Sequence, residues 1–521
     1  MKLAKVNNII DSRTKNSIAV YSDSGCKYNT IPPFHPKQHY PEYPFSSDLI
    51  SHDETSAPDA YHGVRTALYY LGYDRENFGT RKWNPFKLLI KPGQKVVIKP
   101  NFVLHRNGKG LDIFASVTHP SVIRAVVDFC YIALQGTGSV MVVEAPQMDC
   151  DFDDIKKQLH LDALAAFYKE TENFKLNILD VRRLKCTRDY EKGYYPSESF
   201  IINEQADPEG FTIFDLGAQS LLNNLPGIEN LYGADFDRKF TVQNHTKGVH
   251  KYCVSNSVLN ADTVICLPKL KTHKKVGITL NLKLLVGINC DKNYLAHFRI
   301  GPPSKSGDEF PDALGSNVLM RKRVLRFLQD HVFVRRTKST DKLWMAINKL
   351  RRMVNSVSSR KKAAGQVNKI FSGNWYGNDT AWRMAIDLAR ILLYGTVGKG
   401  MSDVPQRNVL SIVDGVMAGE GDGPMDATPK YAGTIIAGEN ILAVDTAAAT
   451  LMGFDYRKIR MLNDAWKLND LPLSTLSLEE TRIHSNDESL DGLAAHQCRK
   501  FSFVPHRNWR GEIEISKQAA E

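Results

Sequence analysis

The chain has 521 residues, 42% of them hydrophobic and 24% charged, and a formal net charge of +11. That balance belongs to a folded globular protein with ample core, and no apolar run approaches the ~18 residues of a membrane-spanning helix. Eight scattered cysteines without a C-x-x-C pair argue against zinc and iron–sulfur sites and suit a reducing compartment.

The first residues, MKLAKVNNIID, reach an aspartate too soon for a secretory signal, so a cytoplasmic protein is expected. Residues 1–60, with TIPPFHPKQHYPEYPFSS, lack periodicity and predict an extended N-terminal arm. From Tyr61 a helical pattern, YHGVRTALYYLG, leads to a first strand at Lys95–Ile98. Next, THPSVIRAVVDFCYIALQG sets Val122, Ile123, Val126, Phe129, Cys130, Ala133 and Leu134 at helical spacing. Thr118 or His119 would cap this helix, Pro120 suits its first turn and Gly136 stops it.

Further strands are predicted in SVMVVEAP, TVICLP and VLSIVDG, with a further run, GTIIAGE, before the helix ILAVDTAAATLMG. Apolar strands alternating with helices predict an α/β fold, a mostly parallel sheet with helices on both faces. The core is assigned to 61–310 and 401–470, a basic helical insertion to 311–400, and a C-terminal helix and arm to 471–521.

Charge is unevenly spread. Between Arg321 and Lys369 there are fifteen Lys or Arg against two aspartates, an excess larger than the whole net charge. Such a segment is either a solvated helical face or a contact for an anionic surface, whether a membrane face or a biosynthetic complex. Nucleic acid is not expected as a partner, because no binding motif accompanies the charge.

In an open parallel sheet, ligands bind where loops leave the carboxyl ends of the strands. The four main strands end in Lys99-Pro100-Asn101, in Glu144 followed by Asp149, in Lys269-Leu270-Lys271-Thr272-His273, and in Asp414-Gly415. An anionic small-molecule substrate would be held by Lys99, Asn101, Thr118, Lys269 and Lys283, with His273, Asp414 and Lys271 as catalytic groups. In VGITLNLKLLVGI, Thr279, Asn281 and Lys283 keep one polar face inside an apolar pattern. The alternative is solvated loops and an ordinary amphipathic element.

The stretch DGVMAGEGDGPMD is expected to be a glycine-rich turn whose Asp414, Glu420 and Asp422 suit a hard cation such as Mg²⁺ or proton transfer. A helix from Asn378 or Asp379 carries Asp379, Arg383, Asp387 and Arg390 along one stripe, which must be internally paired or face a polar cavity. Protease, kinase and dinucleotide motifs are absent.

VVIKPNFV, THPSVIRAV, VVEAPQMD, LPKLKTHKKVGITLNLKLLVGI, YLAHFRIGPP with GDEFP, GNWYGNDTAWR and DGVMAGEGDGPM, in this order, resemble the domain-of-unknown-function family 362, from about Tyr61 to about Asp455. The resemblance is to its long version. Some relatives carry ferredoxin-like cysteine clusters, which this sequence lacks, so no iron–sulfur cluster is expected. Long relatives occur in the context of surface-polysaccharide biosynthesis, which the resemblance implies here. The expected function is an enzyme acting on a sugar phosphate, nucleotide sugar or carboxylate. The alternatives are a non-catalytic adaptor docking through the basic segment at the inner membrane face, and a redox protein with an unrecognised cofactor.

Overall fold

The computed structural model describes residues 16–50, 57–186, 200–233, 238–313 and 370–516, with short stretches between 319 and 349. Strand β1 (Ser17–Ser22) comes from the N-terminal arm. Helix α1 (Ala60–Tyr70) starts where the Asp59 carboxylate accepts the His62 N–H. Then follow β2 (Lys95–Pro100), α2 (Pro120–Leu134) and β3 (Ser139–Glu144). His119, one of the two residues expected to cap α2, accepts the Ser121 N–H, and Pro120 occupies the first turn. Helix α3 (Leu161–Glu172) leads to β4 (Leu176–Asp180), a strand the sequence pattern does not announce. After two small peripheral sheets the chain enters β5 (Thr263–Leu267), β6 (Lys269–His273) and the short helix α4 (Leu280–Leu284). Last come α5 (Ala381–Tyr394), β7 (Asn408–Asp422), β8 (Asp426–Gly438), α6 (Ile441–Leu451) and β9 (Arg482–Ser485).

The central sheet runs β9-β1-β8-β7-β5-β2-β3-β4. From β7 through β5, β2 and β3 to β4 every pairing is parallel. Side chains alternate strictly: Val97, Val264 and Cys266 enter the core under α4, α5 and α6, whereas Val96, Ile98, Ile265 and Leu267 enter the core under α1 and α2. That period of two, filled on both faces, is what continuous apolar strands require. The chain lays β3 and β4 outward from β2, then returns to place β5 on the other flank of β2. The sheet order therefore reverses between β2 and β5, the position at which ligands bind in open α/β sheets.

Three expectations need correction. The stretch KLKTH is not a turn: it is the buried strand β6, pairing parallel to β7 with Lys269 opposite Asp414 and Lys271 opposite Gly419. The acidic glycine-rich stretch is not a loop either but the outer part of β7, in an antiparallel hairpin with β8. Its glycines serve close approach: a Cβ at Gly419 would lie 2.1 Å from the Ala115 carbonyl, and one at Gly423 2.1 Å from that of Thr272. Third, α5, placed by sequence within the 311–400 insertion, is buried in the main core beside α4 and α6. The insertion's basic part, residues 321–369, lies mostly outside the described residues. Segments from the first and last parts of the chain join the sheet side by side, because β1 pairs with β8 and β9 pairs with β1.

Candidate functional site

Two buried ion pairs stand on either side of the reversal point. At the end of β2, Lys99 Nζ lies 2.8 Å from Glu144 Oε1 at the end of β3, and it donates to the Pro100 carbonyl at 2.7 Å. The other carboxylate oxygen accepts the Phe102 N–H at 2.8 Å. At the start of β6, Lys269 Nζ lies 2.8 Å from Asp414 Oδ2 and 2.7 Å from the Tyr28 hydroxyl oxygen. Tyr28 donates to Asp414 Oδ1 at 2.6 Å, and the His119 N–H donates to Asp414 Oδ2 at 2.9 Å. Lys99, Lys269 and Asp414 are fully shielded from water, so each charge depends on its partner.

Thr118 and Lys271 clamp the backbone between these pairs. Thr118 Oγ1 accepts the Asn101 N–H and donates to the Leu267 carbonyl, both at 2.8 Å, and so ties the end of β2 to the end of β5. Lys271 Nζ donates to Asn101 Oδ1 at 3.1 Å, to the Pro424 carbonyl at 3.2 Å and to the Ser116 carbonyl. Its three donor directions are used, all on neutral oxygens. Burial, then the charge of Lys269, pushes its pKa well below the usual lysine range.

Beyond β6 the positive groups accumulate. The Lys275 N–H donates to His273 Nδ1 at 3.0 Å, so a neutral His273 ring carries its proton on Nε2. That Nε2 has no partner among the described residues. Burial, then Lys283, pushes the His273 pKa well below its ordinary value. His297 is fixed in the opposite tautomer, since its Nδ1 lies 3.2 Å from the Leu295 carbonyl and must donate to it. Lys275 donates to the Ser372 carbonyl and lies over the Phe298 ring, and Lys292 donates to the Ala145 carbonyl at 2.7 Å. Lys283, half-buried in the last turn of α4, has no hydrogen-bond or ion-pair partner among the described residues. Burial is the first cause that lowers all three ammonium pKa values: Lys275 to about 7, Lys283 to about 8 and Lys292 to about 8. After burial, Lys292 acts on Lys283 as a like charge and Glu144 acts against it.

The segment that carries Lys283 is held from below. Asp445 on α6 accepts the Asn281 N–H at 2.8 Å, the Asn281 side-chain amide at 2.7 Å and the Leu282 N–H at 2.9 Å. Between these anchors and β6, Leu280 adopts φ +37°, a left-handed conformation unfavourable for a bulky residue. Asn281 therefore faces Asp445 and not the lysines, and Thr279 Oγ1 is buried without a partner among the described residues.

Other residues of the expected site lie elsewhere. Glu420 pairs with Lys430 at 2.9 Å and accepts the Val504 N–H. Asp422 meets Lys109 at 3.1 Å and Arg507, and Arg507 leads in holding its carboxyl well below the usual range. Along an extended strand these two sit roughly 20 Å or more beyond Asp414. Asp414, Glu420 and Asp422 thus do not converge on one ion, and among the described residues no three His, Cys, Asp or Glu side chains group to hold a metal. The charged stripe at α5 is paired, partly within itself and partly to neighbouring segments, Asp379 also meeting Arg299 at 3.7 Å and Arg460. Asp379 meets Arg383 at 3.1 Å, and Arg390 meets Asp387 at 3.6 Å and Asp470 at 3.1 Å. Asp387 also accepts from Ser220 and from Tyr252.

Four participants escape a reading of the strand ends. Tyr28 comes from the arm, 386 positions before Asp414. Lys292 follows α4 in a polar turn of ordinary appearance. His297 lies off the strand ends, in the stretch NYLAHFRIGPPSKSGDEFP, whose Gly, Pro and charged residues mark it in the sequence as a loop that is either ligand-binding or merely exposed. Gly287 borders the Lys99–Glu144 pair so closely that a Cβ there would lie 2.1 Å from Glu144 Oε1. Among the described residues no helix is long and apolar enough to cross a membrane.

No curated protein matches the chain. Among solved structures, the crystal structure of a Thermotoga maritima protein aligns at 10% identity and a TM-score of 0.31, covering 74% of this chain and 57% of that one. The chain therefore spans little more than half of that protein's length. A family model matches residues 198–450, which hold β5 to β8, α4 and α5 with Lys269 to Asp414, whereas Lys99 and Glu144 precede it. The model matched is that of the family described as domain of unknown function (DUF362), the family whose motifs the sequence resembles.

Proposed function

We propose that the chain is an enzyme acting on an anionic small molecule, a sugar phosphate, nucleotide sugar or carboxylate, bound beyond the carboxyl ends of β2, β5 and β6. One observation carries this reading: Lys271, Lys275, Lys283 and Lys292 cluster there, and none of the four has a carboxylate partner among the described residues. Enclosed ammonium groups repel one another and lose hydration, so they become neutral amines or take an anion as counter-charge. The unpartnered Nε2–H of His273 adds a directed donor. Two ion pairs and the Thr118 clamp hold the surrounding backbone rigid, as a positioned site needs.

Thermal unfolding with inorganic phosphate, sugar phosphates, nucleotide sugars and small carboxylates tests the reading. At least one anion should raise the melting temperature in the wild type and fail to do so in H273Q/K292Q. A melting temperature that no member of the panel moves would sink it. The polysaccharide setting implied by the family resemblance selects the sugar-linked members for first trial. Docking of residues 321–369 on an anionic membrane face is a separate reading, carried by their charge, and salt-sensitive binding to anionic vesicles tests it.

A further inference from the structure

Lys283 differs from the other lysines around it. Lys99 and Lys269 are neutralised by carboxylates, while Lys271, Lys275 and Lys292 are tethered to carbonyl oxygens. Lys274 also lacks a hydrogen-bond partner among the described residues, but it faces the carboxylates of Asp422 and Asp426 on the hairpin. Lys283 alone combines a half-buried amine, no tether, and a setting inside the cationic cluster. The segment leading into α4 pairs with β6, with His273 opposite Gly277 and the Thr279 N–H donating to the Lys271 carbonyl at 2.9 Å, so Lys283 follows directly from the His273 strand pair. After burial, its charge is the next cause that lowers the His273 pKa. The backbone beneath it is fixed by Asp445 and by the strained Leu280, so the stem that carries the unbound amine starts from a fixed point.

We propose that Lys283 is a nucleophile that forms an imine with an anionic carbonyl compound, a 2-oxo acid or a phosphorylated aldehyde or ketone. The proposal rests on the anion-site reading above and names its substrate class. The Lys283 nitrogen lone pair attacks the carbonyl carbon, and the oxygen takes up the proton lost by nitrogen. The resulting carbinolamine then loses water, giving a C=N bond in place of C=O with no change of oxidation state. The Nε2–H of the neutral His273 ring can donate a hydrogen bond to the carbonyl and carbinolamine oxygen, while the proton that leaves with the hydroxyl as water comes from the nitrogen by way of solvent. Lys292 and Lys271 oppose the substrate's negative charge. Burial and the neighbouring Lys292 charge hold the Lys283 amine at about 8, so a substantial neutral fraction is present in mildly alkaline buffer.

Glyoxylate, the smallest anionic aldehyde, with borohydride reduction and peptide mass mapping of the full chain, tests this. Reduction should leave a carboxymethyl group on Lys283. Acetaldehyde, which lacks the charge, should label Lys283 about tenfold less or worse, the factor one charge-assisted contact supplies. K283R should lose the label, and in the wild type inorganic phosphate should both raise the melting temperature and suppress labelling at Lys283. Labelling spread over surface lysines, with Lys283 not preferred in the wild type, overturns the imine. If anions still stabilise the protein in that case, the binding reading stands alone; if they do not, both fall.

Discussion

Tyr28 and Asp414 lie 386 positions apart and are joined by a 2.6 Å hydrogen bond in which the phenol donates to the carboxylate. The same phenol oxygen accepts from Lys269 at 2.7 Å and from the Met417 N–H at 3.0 Å, and its ring stacks on His119 at 3.9 Å. The N-terminal arm is thereby a structural part of the strand-end region. Tyr28→Phe keeps the stack but leaves an ammonium, a carboxylate oxygen and an N–H each short of a partner. We expect a loss of about 2–4 kcal/mol of stability by urea denaturation, since each orphaned buried group costs about 1–3 kcal/mol. A loss below about 0.5 kcal/mol would show that the arm does not dock as described.

The Lys99–Glu144 pair should respond non-additively to substitution. Lys99→Met strands a buried carboxylate that retains only the Phe102 N–H and should cost about 3–5 kcal/mol. Glu144→Gln strands the ammonium beside Lys292, with a similar penalty. The double variant removes both charges and should recover part of the loss, because replacing a whole buried pair is often near neutral. A double-mutant cycle on denaturation free energies reads the coupling directly. Strictly additive losses would mean that the two side chains do not meet in solution.

Gly287 should be intolerant for a steric reason. Its φ is ordinary, yet an added Cβ would fall 2.1 Å from Glu144 Oε1 and 2.8 Å from Lys99 Nζ, neither of which has room to retreat. Gly287→Ala is expected to cost about 2–4 kcal/mol, an overpacking penalty combined with a strained ion pair. Thermal or urea denaturation measures it, and in K99M/E144Q the penalty should shrink.

Short continuous apolar runs bounded by Pro, Gly and charged residues mark β2, β3, β5 and the inner half of β7, and the strand-end rule points to Lys99, Lys269, His273 and Asp414 as one region. Those signals are local, so they were legible. Three other features are set by pairing that sequence spacing does not encode. β6 looks like a cationic turn because its lysines are satisfied by Asp414 and by distant carbonyls. The outer half of β7 looks like a flexible acidic loop because its glycines admit neighbouring backbones. Its Glu420 and Asp422 look like metal ligands until Lys430 and Arg507 arrive from β8 and the C-terminal arm. Lys292 and Tyr28 were invisible for the same reason: each acts through partners more than a hundred positions away.

Asp445 gives the pH prediction. It is fully buried, and burial raises its carboxyl from the ordinary value to about 7 despite three donors from Asn281 and Leu282. Between about pH 4 and about pH 7 the folded chain therefore holds a proton here that the unfolded chain has released. The stability from that proton is fully present below pH ~4 and is lost progressively as pH rises to ~7, a change on the order of 2–4 kcal/mol. Asp445→Asn cannot titrate, so the stability difference between wild type and D445N should shift towards the variant across that window and level off above it. The variant's amide has one oxygen for three donors, so it should start less stable than the wild type at pH ~4 and close the gap by pH ~7. Parallel profiles, measured by urea denaturation at matched ionic strength, would mean that Asp445 titrates normally. Because Asp445 pins the turn beneath Lys283, the same variant should also weaken glyoxylate trapping at Lys283 near neutral pH without abolishing it.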